Sequence, residues 1–388
     1  MKIQLSLISA LAVGLLGTVS QPAVARSVST TAPLQLSETP LAPFRSDLLI
    51  AQGNLSEAQQ DQVDELLRQA EDKVNAKDYN AAIALYQQAA QIDRGNARLF
   101  SGIGYLQIQQ RNFTAAADSY RTAIALAPNN LPFHYGLAHS LVNAQQYDAA
   151  MEAYRNIIAI APREANAYLG LGGIQLVQKN YDGALETYQR LASISPGNAK
   201  VYEALATLYL DQQNYSQALQ YYRQAQQISP RQGSIYAGMA DVYLAQNNRT
   251  AALESLRRAS SLLPQDADVQ YKLGDLLYEQ GQEEEAYDYL VRATRLNPDL
   301  IPAHAILGKL LLERQNYIQA VISYRRLVDA LPQDAGARYN LGLALWGQGL
   351  QSQAISHLRT SASLYQQQNN TEGAERARSL LSYWGAGQ

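Results

Sequence analysis

Cysteine is absent from the 388-residue chain. No disulfide frames the fold, and no thiolate can act as nucleophile or metal ligand. An oxidising compartment is compatible with that absence but not required by it. Histidine occurs four times, at His134, His139, His304 and His357, and no His-Glu-x-x-His pair is formed. Charged residues make up only 17% of the chain, with a formal net charge of −3 and 47% apolar residues. Such a balance lacks the basic excess of a nucleic-acid binder and the charge-rich, apolar-poor composition of disorder. No Gly-x-Ser-x-Gly elbow and no phosphate loop occurs, and Gly170-Leu171-Gly172-Gly173 falls inside helical periodicity, the wrong context for a phosphate cradle. No catalytic constellation, metal set or cofactor motif emerges, and the expectation is a protein that is not an enzyme.

What the chain has is a period. Seven prolines, Pro128, Pro162, Pro196, Pro230, Pro264, Pro298 and Pro332, stand 34 residues apart. A fixed spacing of this size marks a stack of like supersecondary units. Numbering each unit from position 1 at residue 63 gives nine units of 34 residues, ending at residue 368 without insertion or deletion. Position 20 is alanine throughout, from Ala82 to Ala354, and position 8 is always alanine or glycine, from Ala70 to Gly342. Position 24 is tyrosine at 86, 120, 154, 188, 222 and 324 and leucine at 256, 290 and 358. Two helices that meet closely need small residues at the crossing, and a bulky residue at position 24 then fills the gap to the next unit. Apolar positions 4, 7, 8 and 11, then 17, 20, 24 and 27, predict two helices per unit. A polar break such as Arg111-Asn112 or Lys179-Asn180 separates them, and the proline at position 32 ends the second. Of 26 tyrosines, 16 occupy positions 4, 11, 17 or 24, which makes tyrosine the packing aromatic, its hydroxyl expected to reach water.

At these residues the chain resembles the tetratricopeptide repeat family. The small residue at 8, alanine at 20, aromatic at 24 and proline at 32 carry the resemblance. It departs where Arg94 and Gln366 replace the proline and where Arg249 and Glu283 replace the aromatic at position 17, so that units six and seven are expected to pack more loosely. The resemblance implies an all-α protein: a right-handed α-solenoid of nine 34-residue helix-turn-helix repeats with a C-terminal capping helix. The solenoid is expected over 55–368, with repeats over 63–368 and an extended first helix from Ser56, where Gln59 completes a capping box. Residues 369–388 read as a capping helix and tail, with Ala374, Ala377, Leu380, Leu381 and Trp384 as its apolar stripe.

The N-terminus reads differently. Met1-Lys2, an apolar run over 5–19 and Ala23-Val24-Ala25 before Arg26 have the layout of a secretory signal peptide, here 1–25. The run is short for a membrane span, and no integral span is expected in the mature form; retention of the run as an uncleaved anchor is the alternative. Residues 26–54, with Pro33, Pro40 and Pro43 among serines and threonines, read as a flexible leader. Export to the periplasm or an equivalent extracytoplasmic compartment is the expectation.

Positions 2, 5, 9 and 13 share one face of the first helix, which in the family lines a concave surface that binds proteins and extended peptides. Here that face begins with Tyr105, Tyr135 and His139, beside Gln109 and Asn143. Farther on it turns acidic, with Glu203, Asp211, Asp241, Asp268, Asp275, Glu279 and Glu313 set against Lys200 and Lys309, and Tyr271 among them. The acids suggest a cationic partner segment, while the aromatic start suggests a cell-wall or surface polysaccharide as the alternative ligand. Two family ligand patterns are missing. No unit combines lysine at 5 with asparagine at 9, and only Asn340 supplies asparagine at 6. Arginine recurs at position 25, at 121, 155, 223, 257, 325 and 359. Asp118, Glu152 and Glu254 precede three of these by one helical turn, which predicts a solvated outer face. His134 and His304, both at position 4, read as core residues.

Overall fold

The computed structural model describes residues 55–386; the expected signal peptide (1–25) and leader (26–54) and the last two residues of the expected tail lie outside the described residues. Every regular element among them is an α-helix. They form two compact bodies, 55–230 and 231–386. The first holds α1 (Glu57–Asn75), α2 (Tyr79–Ile92), α3 (Ala97–Gln109), α4 (Phe113–Leu126), α5 (Leu131–Asn143), α6 (Tyr147–Ile160), α7 (Ala165–Val177), α8 (Tyr181–Ile194), α9 (Ala199–Asp211) and α10 (Tyr215–Ile228). The second holds α11 (Gly233–Ala245), α12 (Arg249–Leu262), α13 (Ala267–Glu279), α14 (Glu283–Leu296), α15 (Ile301–Glu313), α16 (Tyr317–Ala330), α17 (Ala335–Gly347), α18 (Gln351–Gln367) and α19 (Thr371–Tyr383). Within each body consecutive helices pack as antiparallel pairs, pair upon pair, the arrangement of an α-solenoid.

Close approach explains the small residues. All nine alanines at position 20 are completely buried. A Cβ on Gly104 would stand 2.8 Å from the ring of Tyr120. On the other side of the same ring a Cβ on Gly136, in the next pair, would collide with it. Tyr120 thus plugs the seam between pairs, and Tyr154 does the same against Gly170. The position-24 rings are core residues: Tyr120, Tyr154 and Tyr188 are at most 4% exposed, and the hydroxyl of Tyr86 is fully buried. Burial drives their pKa far above the ordinary tyrosine value.

Each turn inside a pair is built the same way. Position 15 adopts positive φ, at Lys77, Arg111, Gln145, Lys179, Gln213, Asn247, Gly281, Gln315 and Gly349. In α3 the N–H of Asn112 then bonds the Gln107 carbonyl and that of Arg111 the Ile108 carbonyl, both at 2.8 Å, a Schellman closure. Position 16 caps the second helix, as Asn180 does by accepting from the Gly183 N–H at 3.1 Å. Gln146, Gln282 and Leu350 make no such side-chain bond.

Between pairs the position-32 proline does more than stop a helix. Its carbonyl accepts a bond from the side chain six residues on: His134 Nε2 to Pro128 at 2.7 Å, Tyr168 to Pro162 at 3.1 Å, His304 Nε2 to Pro298 at 3.0 Å and Arg338 to Pro332 at 2.9 Å. The two histidines are buried core residues, as their position predicts, and each holds its Nε2 proton toward a carbonyl.

The looser packing expected around Arg249 and Glu283 is not found. Ala252, Leu256, Ala286 and Leu290 are fully buried in a core cluster that continues to Ala354. Of the two replacements, Arg249 meets Glu279 at 3.0 Å; beside Glu283, Arg314 meets Glu284 at 3.0 Å and lies 4.2 Å over the Tyr287 ring. At the ends, Ser56 and Gln59 form the capping box. The helix α19 buries Ala377 and Leu381 against Leu358 and Ala362, and Trp384 stacks on Trp346 with ring centroids 3.9 Å apart.

Candidate partner-binding face

From α3 onward, positions 3, 7, 8 and 10 of the first helices turn into the core, leaving 2, 5, 9 and 13 on the opposite face; in α1 the register differs, with Leu67 at position 5 buried and Glu65 and Gln69 exposed. In α3, for example, Leu99, Ile103, Gly104 and Leu106 are buried, whereas Arg98, Ser101, Tyr105 and Gln109 are not. In the body 55–230 this face carries Tyr105, Tyr135, His139, Glu203 and Asp211, each half-buried. Tyr135 is committed to packing: its ring stands edge-on to Tyr154 at 6.4 Å and its buried hydroxyl makes no hydrogen bond. Burial, with the Glu164 carboxylate nearby, drives its pKa far up. Burial also lowers the pKa of His139, whose Nε2 lies 3.3 Å from the Asn143 amide nitrogen. Asp211 ends α9, where the helix dipole opposes a negative charge. Burial pushes its carboxyl up to about 6, and one of its oxygens is buried without a hydrogen bond.

In the body 231–386 the face carries the remaining acids. Asp268 is exposed in the first turn of α13. Asp275 and Tyr271 follow on the same helix, half-buried. Burial raises the carboxyl of Glu313, partly opposed by Lys309, whose ammonium sits 5.2 Å over the Tyr278 ring. Two acids are neutralised by cations outside the four face positions. Lys272 Nζ lies 2.6 Å from Asp241, and Arg249 pairs with Glu279. Opposition by Lys200 and Lys309 alone therefore understated the positive charge near the stripe. Lys272 stands at position 6, where the preceding pair carries Gly238, and inspection of all first-helix positions would have found it.

The outer helices also differ from expectation at one place. Arg121–Asp118 and Arg155–Glu152 are paired one turn apart at 2.7 and 2.8 Å. Arg257 instead bonds Glu285 of the next pair through both guanidinium nitrogens, at 2.5 and 2.8 Å, and not Glu254. Among the described residues no group of His, Asp and Glu is placed to hold a metal ion, and no helix is long and apolar enough to cross a membrane.

Family comparison gives a consistent result along the chain. Tetratricopeptide repeat models match residues 67–130, 135–199 and 307–369, and further models of the same repeat match 209–258, 240–281 and 267–300. A TPR repeat-containing protein of Picosynechococcus sp. is 35% identical over 68 residues, and that match spans 18% of this chain and 18% of the relative. The crystal structure of a tetratricopeptide repeat protein from Parabacteroides merdae superposes with a TM-score of 0.53 at 18% identity, over 65% of this chain and 99% of that one. At that identity it shows the fold alone. Matched along most of its described length by models of one repeat, the chain belongs to the tetratricopeptide repeat family.

Proposed function

We propose that this chain is a non-enzymatic scaffold or assembly factor of the cell envelope that holds a partner protein segment on its first-helix faces. Tetratricopeptide repeats are protein-interaction modules, and that coarser reading rests on the family. The finer one rests on a single observation. From α3 onward the framework positions repeat from pair to pair, while positions 2, 5, 9 and 13, Gly173 apart, stay out of the core and change residue type along the chain. Such variation on a constant frame suits recognition of an irregular ligand.

In the body 231–386 that face carries Asp268, Asp275 and Glu313 as well as Asp241 and Glu279. It supports a Lys- or Arg-rich segment as the partner chemistry. The polysaccharide alternative has less support, because Tyr135 spends its ring on Tyr154 and does not leave it open for stacking. A fluorescently labelled Lys/Arg-rich peptide, titrated with the chain beginning at Arg26, tests the reading. Binding should weaken steeply between low and physiological salt, because exposed charges more than about 8–10 Å apart are screened there. Absence of binding, or binding insensitive to salt, would overturn it. Placement in the envelope follows from Ala23-Val24-Ala25: native protein should begin at Arg26 by mass spectrometry, and an intact Met1 on a cytoplasmic protein contradicts it.

A further inference from the structure

Position 13 of the first helices changes character between neighbouring pairs. It is Val177, 38% exposed, at the end of α7 and Asp211, half-buried, at the end of α9. Positions 2, 5 and 9 of α7 are Asn166, Leu169 and Gly173, so that stretch of the face carries no charge. Leu169, Gly173 and Val177 follow at four-residue spacing on one side of the helix, and the glycine leaves no side chain between the two apolar ones. Helices α7 and α9 pack against each other, which places Asp211 beside this apolar strip. Tyr188 bridges them. A Cβ on Gly172 would collide with its ring, and its pKa is raised by burial and, second, by the charge of Asp211.

The Asp211 carboxylate is short of partners. One of its oxygens is buried without a hydrogen bond, and burial is what raises its pKa. Lys200 stands eleven residues back along α9, about 16 Å at 1.5 Å per residue, and Lys179 is exposed in the turn after α7. Neither acts as an opposing charge on Asp211, whereas Lys309 and Arg314 do so for Glu313, at the same position three pairs on. Resting on the reading that the first-helix faces hold a partner segment, we propose that Leu169, Val177 and Asp211 form the seat of one lysine of that segment. Its methylene stem lies over Leu169 and Val177, and its ammonium meets the Asp211 carboxylate. Charge complementarity selects a cation, and the carboxylate selects which one. Arginine gains most from a fork of two bonds to both oxygens, and here one oxygen is buried out of reach, whereas an ammonium needs only one. An apolar side chain is less suited, because it would bury the carboxylate further and leave it unpaired.

The probe is a labelled lysine-rich peptide, titrated against the chain from Arg26 beside two peptides of equal charge. In one, arginine replaces each lysine; in the other, diaminopropionate keeps the charge and shortens the stem. Wild type should bind the lysine peptide most tightly. Asp211→Asn should lose about tenfold in affinity for it, the worth of one bond to a charged group. Removal of a half-buried charge does not threaten the fold, so the helical signal should hold. Val177→Ser, at an exposed position, should narrow the gap between the lysine and diaminopropionate peptides, which a purely structural role for Val177 would not do. Unchanged affinity in Asp211→Asn, or tighter binding of the arginine peptide, would overturn the seat. If that binding is instead lost in Asp268→Lys/Asp275→Lys, the seat fails and the face reading stands; if no variant or wild type binds any of the peptides, both fail. Spermidine that binds as tightly as the lysine peptide, and in the same Asp211-dependent way, would make this a polyamine site and overturn the assignment to a partner segment.

Discussion

At the scale of single residues, space and backbone angle decide which substitutions matter. Gly136→Ala drives a methyl group into the Tyr120 ring and should cost about 1–3 kcal/mol, the usual range for overpacking. Gly95→Ala has no atom within 4 Å of the new carbon and should be near neutral, so urea denaturation of the two variants tests the interlocked ring directly. Lys179 sits at φ 56°, where a side chain costs roughly 1–2 kcal/mol relative to a right-handed conformation. Lys179→Gly should therefore stabilise, less the entropy glycine adds to the unfolded chain. Asp211 gives a pH dependence of known sign. Its folded pKa, about 6, lies above the ordinary value of 3.8 for the free side chain, so native Asp211 carries no penalty below pH 3.8. The penalty grows as pH rises from there and is complete above about 6. Asp211→Asn should raise the melting temperature at pH 7.5 and leave it unchanged at pH 3.5; an equal gain at both would rule out the ionised carboxyl as the cause.

At the scale of helices, the turn and the cap carry the energetics. Asn180→Ala should cost about 1 kcal/mol through loss of its bond to the Gly183 N–H, whereas Gln146→Asn should gain a cap that α6 lacks. Differential scanning calorimetry of both distinguishes this from a general preference for polar turns. Helix bounds were legible in the sequence because small, aromatic and proline positions recur with one period, and a periodic signal repeated along the chain averages out local ambiguity. The positive φ at position 15 was not legible, since Lys, Arg and Gln fill it where glycine would advertise it. The proline-carbonyl bond was hidden differently. His134, Tyr168, His304 and Arg338 look like unrelated choices until their shared property, a donor six residues after a proline, is noticed. Phe100, six residues after Arg94, carries no donor, which is the sequence signal that could have revealed it. Tyr168→Phe should cost about 1 kcal/mol, the worth of one such bond.

At the scale of the whole chain, repetition makes the pair the unit of change. Deleting residues 165–198 removes α7 and α8 together and should leave a soluble helical protein, whereas deleting 165–181 strands α8 without its partner and should cause aggregation. The candidate face was legible only in outline. Its positions follow from helical spacing, but its charge depends on Lys272 and Arg249, which lie outside those positions and reach in from a neighbouring helix or its end. Charge reversal is therefore best aimed at acids other than Asp241 and Glu279. The most direct measurement is affinity for the labelled Lys/Arg-rich peptide after Asp268→Lys/Asp275→Lys, with Arg121→Glu/Arg155→Glu on the outer helices as the control. Loss of binding in the first variant with unchanged binding in the second, both keeping wild-type melting temperatures, is the predicted result. Retained binding in the first and loss in the second would contradict the first-helix face as the binding surface.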